Sequence, residues 1–352
     1  MDKRNLKRLV TLLSVPLVCS LPINVTASDK IIWGGYFSAG VGKTNKEDTS
    51  YNTPVGGTDF DDSVSFEPLT RIGLQGIIPI DDNMRGTFQI TGRNDSVTST
   101  SSTNGKKFNA EFEWANITYD VSDELSLQAG KFVLPVYYYS DFYNVGLAYD
   151  WVAPPAEVYV APSATEGVLA RYSTYVGDYE LTAQAWSSAY TGVGIQERDV
   201  LGMALSFGKE ELLFRFMTLE GELKFNAAGD YTDFQYTAFA LVSEIGNFRF
   251  VSELATADVD NNTDARDSWY ASVAYRLGKF TPVLTYSTNE DNPFLSSQSP
   301  SYFYAKEAYT YGLSYELSIQ SKLKLEYKDI KMDDESENAS HNLISASIDT
   351  VF

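Results

Sequence analysis

Arg71, Arg85, Arg93, Lys131, Arg171, Arg215, Arg249 and Arg276 are assigned to the inward, polar face of segments in which apolar residues recur at every second position. Between two such segments, the stretch 132–165 carries Asp141, Asp150 and Glu157 but no Lys, Arg or His. Cations on one wall facing carboxylates across a narrow aqueous gap create a transverse field, which orients dipolar solutes and slows apolar ones. The candidate constriction residues are therefore Arg71, Arg93, Lys131, Arg171 and Arg215 on the wall, with Asp141, Asp150 and Glu157 on the loop. The same arginines also have potential partners on their own face, such as Glu67, Glu111, Glu180 and Glu253, and pairing of that kind would brace the wall; the two roles are compatible. Hairpin pairing about Pro79–Asn83 puts Arg71 opposite Thr91 and diagonal to Arg93, a crowding of guanidiniums that calls for a carboxylate or anion nearby.

Catalysis has little to work with. General acid–base chemistry near neutral pH recruits histidine, and His341, at the start of the last periodic segment, is the only one. No Gly-x-Ser-x-Gly elbow, phosphate-binding loop or His-Glu-x-x-His run occurs, so an enzyme, a cofactor and a resident metal are not expected.

The elements that position these residues are read from period. In Met84–Arg93, Met84, Phe88 and Ile90 alternate with Arg85, Thr87, Gln89, Thr91 and Arg93. Such a two-residue repeat is a strand; a helix needs apolar spacings of three and four. Segments of this kind recur from residue 30 to the end, separated in turn by short connections (Pro79–Asn83, Gly177-Asp178, Gly208-Lys209, Gly246-Asn247, Gly278-Lys279, Ile319–Ser321) and by long polar ones. The expectation is a single all-β domain, an antiparallel transmembrane barrel of about sixteen strands with short turns at one rim and long loops at the other. Register cannot run unbroken from Glu113 to Ile117, which predicts a bulge there. Trp33, Tyr119, Tyr179, Trp269, Tyr309 and Tyr327 lie near strand ends on the outward phase, the arrangement of two aromatic girdles at membrane interfaces.

Leader and charge fit that setting. Lys3, Arg4, Lys7 and Arg8 precede an apolar run from Leu9 to Leu21 and a Val25-Thr26-Ala27 cleavage signature, so residues 1–27 read as a secretory signal peptide. A lipoprotein role for Cys19 is disfavoured because Val18 stands where a small residue is needed. Cys19 is the sole cysteine, so a chain starting at residue 28 has no disulfide. It keeps 23 of 27 basic and 46 of 47 acidic residues, a net charge near −23 that speaks against nucleic acid as a partner. Past the leader no apolar run is long enough for a spanning helix, so a membrane role must rest on a barrel.

The stretch 132–165 exceeds an ordinary connection, and its aromatics (Tyr137, Tyr138, Tyr139, Phe142, Tyr143, Tyr149, Trp151, Tyr159) argue for a folded loop. They allow two roles, packing of the loop to the wall or a stacking track for sugar rings. External acids (Glu47, Asp48, Asp59, Asp61, Asp62, Asp258, Asp260, Asp264, Asp333, Asp334, Glu335, Glu337) form a solvated surface, or hold divalent cations that bridge lipopolysaccharide.

A signal peptide, about sixteen strands, a terminal Phe352 and a long third external loop together resemble the general Gram-negative outer-membrane porin family, in its gammaproteobacterial, 16-stranded form. Within that loop the resemblance runs through Gly130-Lys131-Phe132, Leu134-Pro135, Tyr139-Ser140-Asp141-Phe142, Trp151 and Pro154-Pro155-Ala156-Glu157-Val158-Tyr159. It implies a cell outer-membrane pore for passive diffusion of small hydrophilic solutes, often a homotrimer, in contact with membrane lipid and lipopolysaccharide, with the third loop folded toward the lumen. A substrate-specific channel for a sugar or an anion is the alternative. The Pro-Glu-Phe-Gly-Gly-Asp stretch of the enterobacterial porins is absent, so their selectivity does not transfer.

Overall fold

Alternation decides the wall. The computed structural model describes residues 30–56, 58–95, 107–159, 164–191, 195–225, 229–259, 266–290, 306–332 and 340–352; the leader and the acids Asp260, Asp264, Asp333, Asp334, Glu335 and Glu337 lie outside them. The strands are β1 (Ile32–Thr44), β2 (Arg71–Pro79), β3 (Met84–Asp95), β4 (Lys107–Asp120), β5 (Leu125–Val133), β6 (Ala164–Val176), β7 (Tyr179–Thr191) and β8 (Ile195–Lys209). They continue as β9 (Leu212–Phe225), β10 (Thr232–Ile245), β11 (Phe248–Val259), β12 (Arg266–Tyr275), β13 (Phe280–Asn289), β14 (Lys306–Ser318), β15 (Ser321–Met332) and β16 (His341–Val351). Each pairs antiparallel with its sequence neighbours, and β1 closes on β16 as well as on β2, so the sheet is a barrel of sixteen strands. Two further two-residue strands, Tyr51–Asn52 and Asp59–Phe60, pair as a small ribbon inside the first long loop.

The two faces differ as the period requires. On β8, Leu201, Met203, Leu205 and Phe207 are exposed while Ala204 between them is buried. A belt of this kind is a hazard in water and is the ordinary exterior of a barrel in lipid. Trp33, Tyr119, Tyr179, Trp269, Tyr309 and Tyr327 all stand on that outer face, 36–54% exposed. No helix among the described residues is long and apolar enough to cross a membrane, which says nothing of crossing by strands. The inner face carries small polar groups, among them Ser38, Thr91, Asn116, Gln184, Ser272, Thr285, Thr310 and Ser345.

Turn chemistry is visible at Gly177, Gly246 and Gly278, whose φ values of 64°, 62° and 61° lie in the left-handed region. Nothing stands within 4 Å of a Cβ built on any of them, so glycine is there for its backbone freedom rather than for space. The turn expected at Gly208-Lys209 falls instead at residues 210–211, because β8 extends through Lys209 to pair with Leu212.

Two registers bear on the site. The β2–β3 hairpin pairs Pro79 with Arg85 rather than Ile78 with Met84, so Arg71 stands directly opposite Arg93 and Gly73 opposite Thr91, correcting the expected Arg71–Thr91 pairing. The cause is the turn: the N–H groups of Ile80 and Asp81 both donate to Met84 O, at 2.8 and 3.1 Å, which sets Ile80 opposite Met84 and narrows the connection to residues 81–83. Between β3 and β4, Gln89 pairs with Trp114 and Ile90 with Phe112, leaving Glu113 as the extra residue of a bulge at the near edge of the predicted interval. The bulge turns both Glu113 and Trp114 inward, where they are 2% and 6% exposed.

Candidate functional site

The third long loop begins after Val133, and its described part runs to Tyr159. Short-range bonds shape it: Ser140–Phe142 and Gly146–Ala148 are single 3-10 turns, the Tyr137 N–H donates to Ser140 Oγ at 2.8 Å, and the N–H groups of Val158 and Tyr159 share Pro155 O. Its rings pack on one another. Tyr137 stacks on Tyr159 at 4.4 Å, Trp151 meets Tyr139 and Tyr270 edge-on at 5.7 and 5.5 Å, and Tyr139, Tyr143, Tyr149, Trp151 and Tyr159 are at most 3% exposed. Rings so enclosed fasten the loop to the wall, while Tyr138 and Phe142 are only half-buried.

The loop's polar contacts are with inward-facing wall groups on many strands. On β2, Arg71 donates through Nε to Asn144 O at 2.7 Å and through Nη2 to Tyr149 OH at 2.9 Å. On β4, Glu113 accepts from Asn144 Nδ2 at 2.7 and 2.8 Å and from Arg93 at 3.3 Å, so a carboxylate stands beside the two opposed guanidiniums. On β11, Glu253 accepts from the Tyr138 N–H at 2.8 Å and from the hydroxyls of Tyr159 and Tyr270. Trp151 Nε1 donates to Thr285 Oγ1 on β13 at 2.8 Å, and the Val152 N–H to Glu326 on β15 at 3.1 Å. Lys324 of β15 donates to Gly146 O and, at 2.6 Å, to Trp151 O, and pairs with Asp349 of β16 at 3.2 Å.

The candidate residues separate by access to water. Arg71 is 1% exposed and spends its N–H groups on Asn144 O, Tyr149 OH and Leu69 O, so it fastens the loop instead of facing solutes. Glu157, 0% exposed, is enclosed by Lys328 at 3.7 Å, Tyr51 OH at 3.0 Å and Ser287 Oγ at 2.9 Å, and is likewise removed from a constriction. Lys131 is not on the inner face at all: it is in register with Ala115 and Glu166, both exposed, and so continues the outward series of Leu127 and Ala129. Strict alternation already required this, and the inward neighbour is Phe132. Arg276 lies just past the end of β12 and is exposed at the short-turn rim.

Water-accessible charge remains at Arg93, which pairs with Glu111 at 3.2 Å; at Arg171, which meets Asp141 at 3.5 Å; at Arg215; and at Asp150 with Arg249 and Lys322. Asp141 and Arg171 are 24% and 23% exposed along their side chains, the most open ion pair between loop and wall among the described residues. Arg85 pairs with Asp120 nearer the short turns.

Burial opposes ionisation of Asp150, but Lys322 at 3.3 Å and Arg249 at 3.4 Å outweigh it and hold this carboxyl down at about 2. A value depressed below that of an unfolded Asp, ~3.9, stabilises the docked loop fully above about pH 4 and is lost as pH falls through about 2. Asp150→Asn is expected to cost about 2 kcal/mol at neutral pH. Thermal unfolding in detergent at neutral and strongly acid pH checks this: the gap between variant and wild type should close in acid, and an equal gap at both would refute the anchor.

The periodic stretch Lys322, Lys324, Glu326, Lys328, alternating with Leu323, Leu325 and Tyr327, was a legible signal for inward charge on β15 that the arginine-based reading passed over. Asn144 and Tyr149 had no such signal, because a loop has no period.

No family model matches the sequence, and no curated protein does. Solved structures do. The anion-selective porin of Comamonas acidovorans aligns with a TM-score of 0.62 at 14% identity, covering 92% of this chain and 99% of that one. The outer-membrane channel DcaP of Acinetobacter baumannii aligns at 0.61 and 13% identity, over 93% and 100% of the two chains. The OmpF porin of Salmonella typhi, solved with daunomycin, aligns at 0.59 and 12% identity, over 92% and 98%. At such identities the likeness is one of fold: this chain has the sixteen-stranded porin architecture along nearly its whole length.

Proposed function

We propose that the protein is a passive diffusion channel of the bacterial outer membrane, exported by its leader, that admits small hydrophilic solutes and ions past a constriction between the third loop and the basic wall. The observation that carries this is the combination of a closed sixteen-stranded wall, apolar outside and polar inside, with a loop anchored to inward-facing groups on many wall strands. Barrels of this strand number enclose an aqueous lumen in which inward side chains decide passage. The constriction residues in this reading are Asp141 on the loop with Arg93, Arg171 and Arg215 on the wall, and Asp150 with Arg249 and Lys322 beyond them. Opposed charges at the waist give weak ion selectivity, because screening confines each to about 8 Å at physiological salt. A homotrimer belongs to the same proposal, since structures similar to this chain include a trimer form of the outer-membrane protein OmpT of Vibrio cholerae, and contact with lipopolysaccharide goes with the proposed outer-membrane location.

Purified protein in planar bilayers is expected to give stable conductance steps, and liposomes containing it to swell with neutral sugars at rates ordered by size. An absence of conductance would refute the channel. Saturable transport that discriminates between sugars of equal size would replace it with a substrate-specific one.

A further inference from the structure

A wall that lines water is polar on its inner phase, and at the long-loop ends of β14, β15 and β16 this wall is not. Ala308, Ile330 and Leu343 take inward positions there, in phase with Thr310, Lys328 and Ser345, and each is at most 2% exposed. Apolar side chains sealed on the inner face have a cover. They belong to one buried cluster with Tyr51, Val55, Phe60 and Leu69 of the first long loop, residues 45–70.

That loop is built to fit the wall. In its two-residue ribbon Tyr51 stands opposite Phe60 and Asn52 opposite Asp59, so one face is aromatic and the other polar. The aromatic face is buried; on the half-exposed polar face Asn52 Nδ2 donates to Asp59 Oδ1 at 2.7 Å. Beneath the aromatic face β1 offers bare backbone, because Gly40 and Gly42 continue the inner phase of Tyr36 and Ser38. A Cβ on Gly42 would lie 2.8 Å from the Phe60 ring, and one on Gly40 would lie 2.5 Å from Leu69 Cβ. So close an approach requires glycine. The return limb is tied to the same strand: Gly42 and Ser65 exchange both N–H···O bonds at 3.0 Å, and the Thr44 N–H donates to Asp61 O at 2.7 Å.

Tyr51 carries the loop further round the barrel. Its hydroxyl donates to Glu157 Oε1 of the third loop at 3.0 Å and accepts from Lys328 Nζ of β15 at 2.7 Å. Ser287 of β13 donates to the other Glu157 oxygen at 2.9 Å. The first loop thus reaches from β1 past β16 to β15 along inward-facing groups and meets the third loop there. Charge with access to water lies on other strands, with Glu111 of β4 54% and Arg171 of β6 23% exposed along their side chains.

Resting on the channel reading, we propose that the first external loop is a second size-determining element of the channel. It fills the long-loop half of the lumen along β14 to β1, Tyr51 clasps it to the third loop, and entry is confined to the side of β4 and β6. The third loop narrows the waist, and the first limits what enters from outside.

The test uses full-length protein in planar bilayers and in liposomes swelling with neutral sugars of increasing size. Replacing residues 50–60 by Gly-Ser-Gly should raise single-channel conductance about twofold and admit a trisaccharide at a rate near that of a disaccharide in the wild type. Tyr51→Phe, which keeps the ring and removes the clasp, should flicker between the wild-type level and the larger one. A second arm needs no shortened loop: in a Cys19→Ser background, which removes the only native cysteine, Asn52→Cys is modified with a sulfonate-bearing methanethiosulfonate, and mass spectrometry confirms the adduct. Conductance should fall by about a third, because the added group stands in the conducting path. Shortened-loop channels with the wild-type conductance and size limit would overturn the proposal; should that variant not insert, a modified Asn52→Cys channel of unchanged conductance would do so. Tyr51→Phe channels steady at the wild-type level would overturn the clasp. A wild-type protein without conductance would overturn the channel and this element together.

Discussion

Lys324→Met is expected to be among the most damaging single substitutions in the chain, lowering stability by about 3–5 kcal/mol and releasing the middle of the third loop. The Lys324 side chain and its partner Asp349 are each 1% exposed and 3.2 Å apart. Removing the cation strands a buried carboxylate and leaves the carbonyls of Gly146 and Trp151 without their donor. The cost is that of an uncompensated buried charge, which exceeds the net worth of the pair. Gly146→Ala should act on the same point by a different force. A Cβ at Gly146 would lie 1.9 Å from Asp349 Oδ1, on a side chain held by Lys324 and by Ser347 at 2.8 Å. Both variants should melt earlier in detergent and show noisier, larger conductance steps, whereas Lys324→Met combined with Asp349→Leu should recover much of the loss. A Lys324→Met barrel that melts with the wild type would refute the latch.

Glu113→Ala should have a comparable effect for an electrostatic reason. Arg71 and Arg93 face each other directly across the β2–β3 ladder, an arrangement that destabilises a sheet when nothing answers it. Glu113 answers it on the Arg93 side, and it also accepts from Gln89 Nε2 and Thr91 Oγ1 at 3.0 Å each and from both-sided contact with Asn144. Truncation is expected to cost about 3–5 kcal/mol, since buried partners lose a shared acceptor, and to shift the channel toward anions. Glu113→Gln, which keeps an acceptor but no charge, separates the two effects: stability should recover in part while the shift in reversal potential persists. An unchanged reversal potential in both variants would show that this carboxylate is screened from the conducting path.

How much of this was legible follows from what a period can encode. Met84 to Arg93 announces its strand and its faces without ambiguity, and the broken phase after Phe112 announces the bulge. The same rule, applied consistently, places Lys131 outward. The Arg71–Arg93 pairing was not readable, because it depends on whether Pro79 and Ile80 belong to the turn or to the ladder, a choice made by two backbone hydrogen bonds.

The candidate site was legible in composition and not in assignment. A loop with acids and no bases, facing a wall with arginines, marks where opposite charges meet. Which acid meets which base, and which pair stays wet, depends on how the loop packs against the wall.

The residue order alone therefore determined the wall: strand after strand with one apolar and one polar face, since a side chain's face follows from parity in a strand. Tertiary structure decided the waist. Arg71 and Glu157 became sealed anchors while Asp141, Arg171 and Arg215 stayed open to water, because these contacts join residues far apart in the chain through a segment that has no repeat to announce where it goes.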